Sequence, residues 1–195
     1  MSSAAPPGAL LLTPGAGSDR HHPSLVAIEA AVAPLPVARV DFPYRRAGRR
    51  GPDRAPVMVA CVMEEAGALA ARTGVSPERV VLGGRSMGGR MCSMAVAEGL
   101  PAGGLVLIAY PLHPPGRPER LRTEHFSALE VPCLFVSGTR DPFAAPGELE
   151  AASAHIAGPV THVWIEGAGH GLKGADVAVA ESVAAWLTGG PPGPT

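Results

Sequence analysis

The chain has 195 residues, 46% of them hydrophobic and 17% charged, with a formal net charge of -1. That length favours one domain, the near-neutral charge lacks the positive field of a nonspecific nucleic-acid binder, and no apolar run approaches the roughly 20 residues that cross a bilayer. The 25 Gly and 22 Pro come close to a low-complexity composition, yet Leu, Ile, Val and Phe still supply 44 residues, too many for a chain disordered by want of apolar surface.

Met1 to Gly8 carries no basic stretch ahead of Leu10-Leu11-Leu12, so no signal peptide is expected. Ala9 to Thr13 reads as a buried strand entering the glycine turn Pro14-Gly15-Ala16-Gly17. Pro23 to Ala33 reads as a helix ended by Pro34 and Pro36, and Val37 to Phe42 as a second strand. Tyr44 to Arg54 is a polar loop, and Ala55 to Arg72 has apolar residues at helical spacing. The rhythm then repeats. Strands are expected at Arg79 to Gly83, Gly104 to Tyr110, Leu134 to Ser137 and Val160 to Ile165. Helices are expected at Met87 to Glu98, Glu148 to Ile156 and Asp176 to Leu187. Short, almost continuously apolar strands alternating with helices imply an α/β fold: an open, mostly parallel sheet of about six strands with helices on both faces. Residues 1–188 form a single domain in this reading, and 189–195 a flexible C-terminal tail.

The most informative stretch is Val80-Val81-Leu82-Gly83-Gly84-Arg85-Ser86-Met87-Gly88-Gly89-Arg90. It places G-x-S-x-G between an apolar strand and a helix. A sharp strand-to-helix turn lifts the serine hydroxyl clear of the sheet, and glycines two residues either side let backbone pass closely. Ser86 is therefore the candidate nucleophile. Its partners follow in the chain. Asp141 sits directly after one apolar strand in Ser137-Gly138-Thr139-Arg140-Asp141-Pro142-Phe143, and His170 in a glycine loop after the next, Glu166-Gly167-Ala168-Gly169-His170-Gly171. Both emerge at the carboxyl edge of a parallel sheet, where ligands bind. The order Ser86, Asp141, His170 is that of the α/β-hydrolases, so Ser86 is read as nucleophile, His170 as base and Asp141 as orienting carboxylate. Glu166 and Asp176 stand as substitutes for Asp141.

These residues carry a resemblance. The chain resembles α/β-hydrolase-fold proteins of the small, lidless dienelactone-hydrolase-like kind from about Leu10 to Leu187. Gly83 to Arg90, Tyr110-Pro111-Leu112-His113-Pro114-Pro115-Gly116 and Gly138 to Phe143 are more narrowly similar to a branch of hydrolase-like domains found in testis-expressed and chromatin-complex subunits and in bacterial proteins. The resemblance implies a minimal hydrolase fold without a separate cap domain. Unlike dienelactone hydrolase proper, this chain has serine rather than cysteine at the turn. One oxyanion donor is expected from the Met87 amide. The resemblance aligns Pro14 to Gly17 with an H-G-x-G-type loop, making the Ala16 amide the first choice for the second donor and Gly17 the next. Pro14 stands where relatives often have His, and it has no N–H to offer.

Other signals are weaker. Arg39, Arg45, Arg46, Arg49, Arg50 and Arg54 form an anion site in a sharp reading and a solvated loop in a plain one. Arg85 and His113 are possible substrate-binding residues, with Arg90 one turn into the helix. Gly116 to Leu129 is the longest segment able to cover the site. His21 and His22 have no metal-binding spacing, so no metal is expected. His125, His155 and His162 read as structural, and Met87, Met91 and Met94 as core. Cys61, Cys92 and Cys133 lack CxxC spacing and suit reduced, buried thiols in a cytoplasmic protein. The function expected is a serine hydrolase cleaving an ester or similar acyl bond of a small-molecule substrate, without cofactor, nucleic-acid or membrane partner. The alternatives are a hydrolase-like scaffold or binding protein, and a perhydrolase or acyltransferase using the same triad.

Overall fold

The structure is a computed structural model and describes residues 6–190. Met1 to Ala5 of the N-terminal stretch and most of the expected tail, residues 191–195, lie outside the described residues. Six strands form one fully parallel sheet. They are β1 (Ala9–Thr13), β2 (Val37–Arg39), β3 (Val80–Arg85), β4 (Gly104–Ile108), β5 (Cys133–Gly138) and β6 (Val160–Ile165), in the spatial order β2-β1-β3-β4-β5-β6. The helices are α1 (Pro23–Ala31), α2 (Pro43–Arg46), α3 (Ala55–Thr73), α4 (Met87–Ala97), α5 (Pro146–Ser153) and α6 (Asp176–Leu187).

Period-two alternation divides each central strand between two cores. Leu11, Leu82, Leu105, Leu107 and Phe135 face the side packed by α3 and α4. Leu10, Leu12, Val81, Val106 and Val136 face the side packed by α1 and α6. The central strands are largely apolar because both their faces are covered.

The chain leaves β1 toward one face, through α1, and β3 toward the other, through α4. β1 and β3 are neighbours, so their carboxyl ends open a crevice at a topological switch point.

Strand ends differ from the sequence reading for local reasons. β2 stops at Arg39, although Val40 N still donates to Leu12 O at 3.0 Å, because the edge strand must turn into Pro43 at the start of α2. β4 stops at Ile108 because Ala109 turns left-handed at φ 47°. The loop expected from Tyr44 to Arg54 begins as the short helix α2. α5 starts earlier than expected, at Pro146, where proline's fixed φ suits a first helical turn and Glu148 accepts from Ala145 N at 2.9 Å.

Among the described residues no helix is long and apolar enough to cross a membrane, and no group of three or more His, Cys, Asp or Glu is arranged to hold a metal. Cys61, Cys92 and Cys133 are free and buried; burial pushes the Cys92 and Cys133 thiols up to about 12, so they are poor nucleophiles.

Candidate active site

The site is built from the bottom of the crevice upward. Ser86 closes β3 and opens α4 with φ 49° and ψ -117°, a conformation a side-chain-bearing residue adopts only when its surroundings hold it there. The surroundings are glycines. A Cβ on Gly84 would stand 2.6 Å from the Gly88 carbonyl carbon, and one on Gly88 2.5 Å from Pro14 O. Thr13 Oγ1 donates to Gly83 O at 3.1 Å and ties the end of β1 to β3 beneath the turn. A Cβ on Gly15 would lie 3.6 Å from Ser86 Cβ, so the turn after β1 runs beside the serine.

Three strands deliver the polar groups. Ser86 Oγ lies 2.9 Å from His170 Nε2, and His170 Nδ1 lies 2.8 Å from Asp141 Oδ2. The Asp141 carboxylate is fully buried and accepts a second bond, at 2.8 Å, from Phe143 N. An ionised carboxylate only accepts, so Nδ1 carries the proton and Nε2 offers its lone pair to Ser86. Glu166 and Asp176 do not take this place. The Phe143 ring stacks on the imidazole with centroids 4.0 Å apart, and Arg85 Nη2 donates to His170 O at 2.9 Å. His170 is thus held at its ring, its inner nitrogen and its backbone.

Among the sequence-proposed oxyanion donors, Met87 N opens α4, where a helix leaves its first amides without partners. Ala16 and Gly17 line the same cavity as Ser86. The Ala16 N–H meets no backbone acceptor among the described residues, while Ala16 O accepts from Tyr44 Oη at 2.8 Å. Tyr44 is fully buried and was hidden in the sequence, where it looked like the start of a polar loop.

The cavity above Ser86 has a volume of about 750 Å³. Its walls include Ala16, His22, Met58, Met87, Met91, Phe143 and three arginines, Arg85, Arg90 and Arg122. Burial, with the Arg85 charge nearby, holds His22 below the ordinary imidazole range. Burial also lowers Arg85.

One expectation needs correction. His113 does not line the cavity. It is 4% exposed, with Nδ1 2.9 Å from Pro114 O and Nε2 3.2 Å from Glu148 Oε2, which leaves neither nitrogen for a substrate. It braces the acid loop instead, since His113 N donates to Phe143 O at 3.1 Å. In the arginine-rich stretch four of the six arginines already meet a carboxylate. Arg39 pairs with Glu29, Arg45 with Asp19, Arg46 with Glu65 and Arg49 with Asp53. Arg50 and Arg54 are exposed and form no ion pair among the described residues, so the plain reading of a solvated surface describes the stretch. Phe143 and Arg122 were missed as site residues. Phe143 follows the acid by two positions, a spacing that could have drawn attention to it; nothing in the sequence around Arg122 marks it.

Solved structures share this fold. An α-β serine hydrolase homologue from Coxiella burnetii is 19% identical, with 93% of this chain and 88% of that one covered and a TM-score of 0.72. Dienelactone hydrolase from Anabaena variabilis is also 19% identical, with 94% and 87% covered and a TM-score of 0.71. Est1E from Butyrivibrio proteoclasticus is 16% identical, with 96% and 89% covered and a TM-score of 0.71. Residues 6–184 match the family described as alpha/beta hydrolase domain. With its parallel sheet, its strained serine turn and a match over nearly its whole length, the chain belongs to the alpha/beta hydrolase domain family.

Proposed function

We propose that the protein is a serine hydrolase that cleaves a carboxylic ester or a similarly activated acyl bond. The observation that carries this reading is the unbroken line from Ser86 Oγ through His170 to Asp141, with steps of 2.9 and 2.8 Å, lying along the wall of an open cavity. Ser86 Oγ attacks the acyl carbon as its proton passes to His170 Nε2. The carbonyl oxygen becomes an oxyanion facing the Met87 and Ala16 amides. His170 then gives its proton to the leaving alcohol, and the C–O bond to that alcohol breaks, leaving an acyl-serine. Water repeats the sequence in reverse roles and releases the acid. Asp141 keeps Nδ1 protonated and stabilises the imidazolium that forms at each step. These residues suffice for the chemistry without a cofactor.

We assign the substrate to small acyl compounds, since the longest segment able to cover the site, Gly116 to Leu129, is short. We also assign a single hydrolase domain over residues 1–188, kinship with the testis-expressed and chromatin-subunit branch, and a cytoplasmic location. The three free, buried cysteines suit that compartment.

The test is active-site labelling. A fluorophosphonate probe should modify the purified protein on Ser86, located by mass spectrometry, and should not modify Ser86→Ala. An unlabelled wild-type protein would mean a hydrolase-like scaffold. Labelling with acyl transfer to peroxide or alcohol in preference to water would reassign the protein to the perhydrolases or acyltransferases.

A further inference from the structure

Several surface arginines are matched to carboxylates, and those in the cavity are not. Arg20, Arg39, Arg45, Arg46 and Arg49 each meet a carboxylate. Arg85, Arg90 and Arg122 line the cavity, and among the described residues none of them forms an ion pair. Arg85 is committed through Nη2 to His170 O, although its Nε is buried without a hydrogen-bond partner among the described residues. The other two are not so committed. Arg90 Nε is buried without a hydrogen-bond partner among the described residues, one turn along α4 from Ser86. The Arg122 guanidinium has a single long bond, from Nη1 to Pro111 O at 3.4 Å.

Arg122 is nevertheless held in place. Its backbone N donates to Leu112 O at 2.8 Å, and its backbone O accepts from Tyr110 Oη at 2.7 Å. Tyr110 is fully buried against Phe126 and Phe135, with ring centroids 5.3 and 5.9 Å away, and burial keeps its phenol protonated. His125, three residues further, has Nε2 2.7 Å from Ser93 Oγ on α4, which fastens the same loop to the helix that carries Arg90. Burial lowers Arg122 and the charge of Arg90 lowers it further, as expected of two like charges facing one space. Asp53 also lines the cavity; Arg49 meets its Oδ1 at 2.8 Å, while its Oδ2 is buried without a hydrogen-bond partner among the described residues. Two like charges brought together in a partly desolvated wall are costly unless an anion joins them.

We propose that Arg90 and Arg122 form an anion subsite, so that the acyl substrate carries a carboxylate or phosphate at the end remote from its scissile bond. The proposal rests on Ser86 being the nucleophile only for its catalytic arm; binding tests it separately. A planar guanidinium meets either anion through paired N–H groups, which makes arginine better suited than lysine here.

The first experiment uses Ser86→Ala and isothermal titration calorimetry with monomethyl succinate, dimethyl succinate and inorganic phosphate. Monomethyl succinate should bind at least tenfold more tightly than the neutral diester, and Arg90→Gln or Arg122→Gln in that background should remove the difference. Phosphate binding more tightly than monomethyl succinate would assign the anion to a phosphorylated substrate. Equal affinity for the charged and neutral esters, with no phosphate binding, would overturn the subsite whether or not Ser86 is reactive. The second experiment compares kcat/KM for the half-ester and the diester in the wild-type protein. The ratio should fall about tenfold to a hundredfold in either arginine variant, the range expected on losing a hydrogen bond to a charged group. The exposed Arg117→Gln should leave the ratio unchanged. A ratio that falls as far in Arg117→Gln would show a general charge effect and refute the subsite.

Discussion

Tyr44→Phe separates an oxyanion turn from a merely well-packed one. The ring is fully buried, and phenylalanine keeps its volume, so the core on the α3 and α4 side stays filled. What is lost is the 2.8 Å bond from Tyr44 Oη to Ala16 O. Ala16 is exposed, so water reaches the released carbonyl and the stability loss falls at the lower end of a hydrogen bond's net worth, about 0.5–1 kcal/mol. For a chain of this length that lowers Tm by roughly 1–4 °C. The catalytic effect should be larger. Removing an oxyanion donor outright costs about 2.7–4 kcal/mol in the transition state, and loosening the peptide that carries it forfeits part of that. With about 1.4 kcal/mol forfeited, kcat falls about tenfold while KM barely moves, because the interaction exists only once the oxyanion forms. Steady-state hydrolysis of p-nitrophenyl acetate, read beside a thermal melt, measures both. If Tm drops while kcat holds, Tyr44 is a core residue only and Ala16 is not the second donor.

Asp141→Asn keeps the shape of the buried acid but lets His170 settle in the wrong tautomer; kcat should fall by about 10⁴ with little change in KM, the loss known for the protease triad. Gly88→Ala places a methyl 2.5 Å from Pro14 O, so the Ser86 turn must open; fluorophosphonate labelling should be lost, with a stability cost of about 1–3 kcal/mol by thermal melt. His125 is held neutral by burial and by the Arg90 charge, with its pKa pushed down to about 4. The unfolded chain takes up a proton there near pH 6.5 and the folded one does not, so stability falls as pH drops from about 6.5 to 4 and levels off below. His125→Gln should flatten that part of the Tm–pH profile, and an unchanged slope would clear His125 of the acid limb.

The parts of the site that were legible in the sequence are those set by strand ends. Ser86, Asp141 and His170 each follow an apolar run directly, and a parallel sheet collects such positions at one edge without any further information. What stayed hidden depends on side chains reaching across the fold. Tyr44 meets Ala16 from 28 residues away, and no local pattern announces a tyrosine that points inward from a polar loop. The arginine cluster invites a binding reading because three of its four ion-pair partners lie elsewhere: Asp19, Glu29 and Glu65 are outside it, and only folding brings them to it. His113 reads in the sequence as a possible substrate-binding residue, but past the left-handed turn at Ala109 its ring is buried. The same turn starts the path that brings Arg122 into the cavity.

The parallel sheet has a kinetic consequence. Every strand pairing must close a long loop: β1 pairs with β3 through Leu10 and Val81, and Ser86 meets His170 from 84 residues away. Loops of that length make for slow folding through non-local contacts. The triad cannot exist on a partial sheet, because its serine, acid and base follow β3, β5 and β6 in turn. During synthesis the strained serine turn can form as soon as β1 and β3 pair, yet it stays inert until His170 arrives. For the proposed hydrolase, reactivity is thereby the last property the folding chain acquires, and a fluorophosphonate label applied during refolding would report the closing of the sheet rather than its beginning.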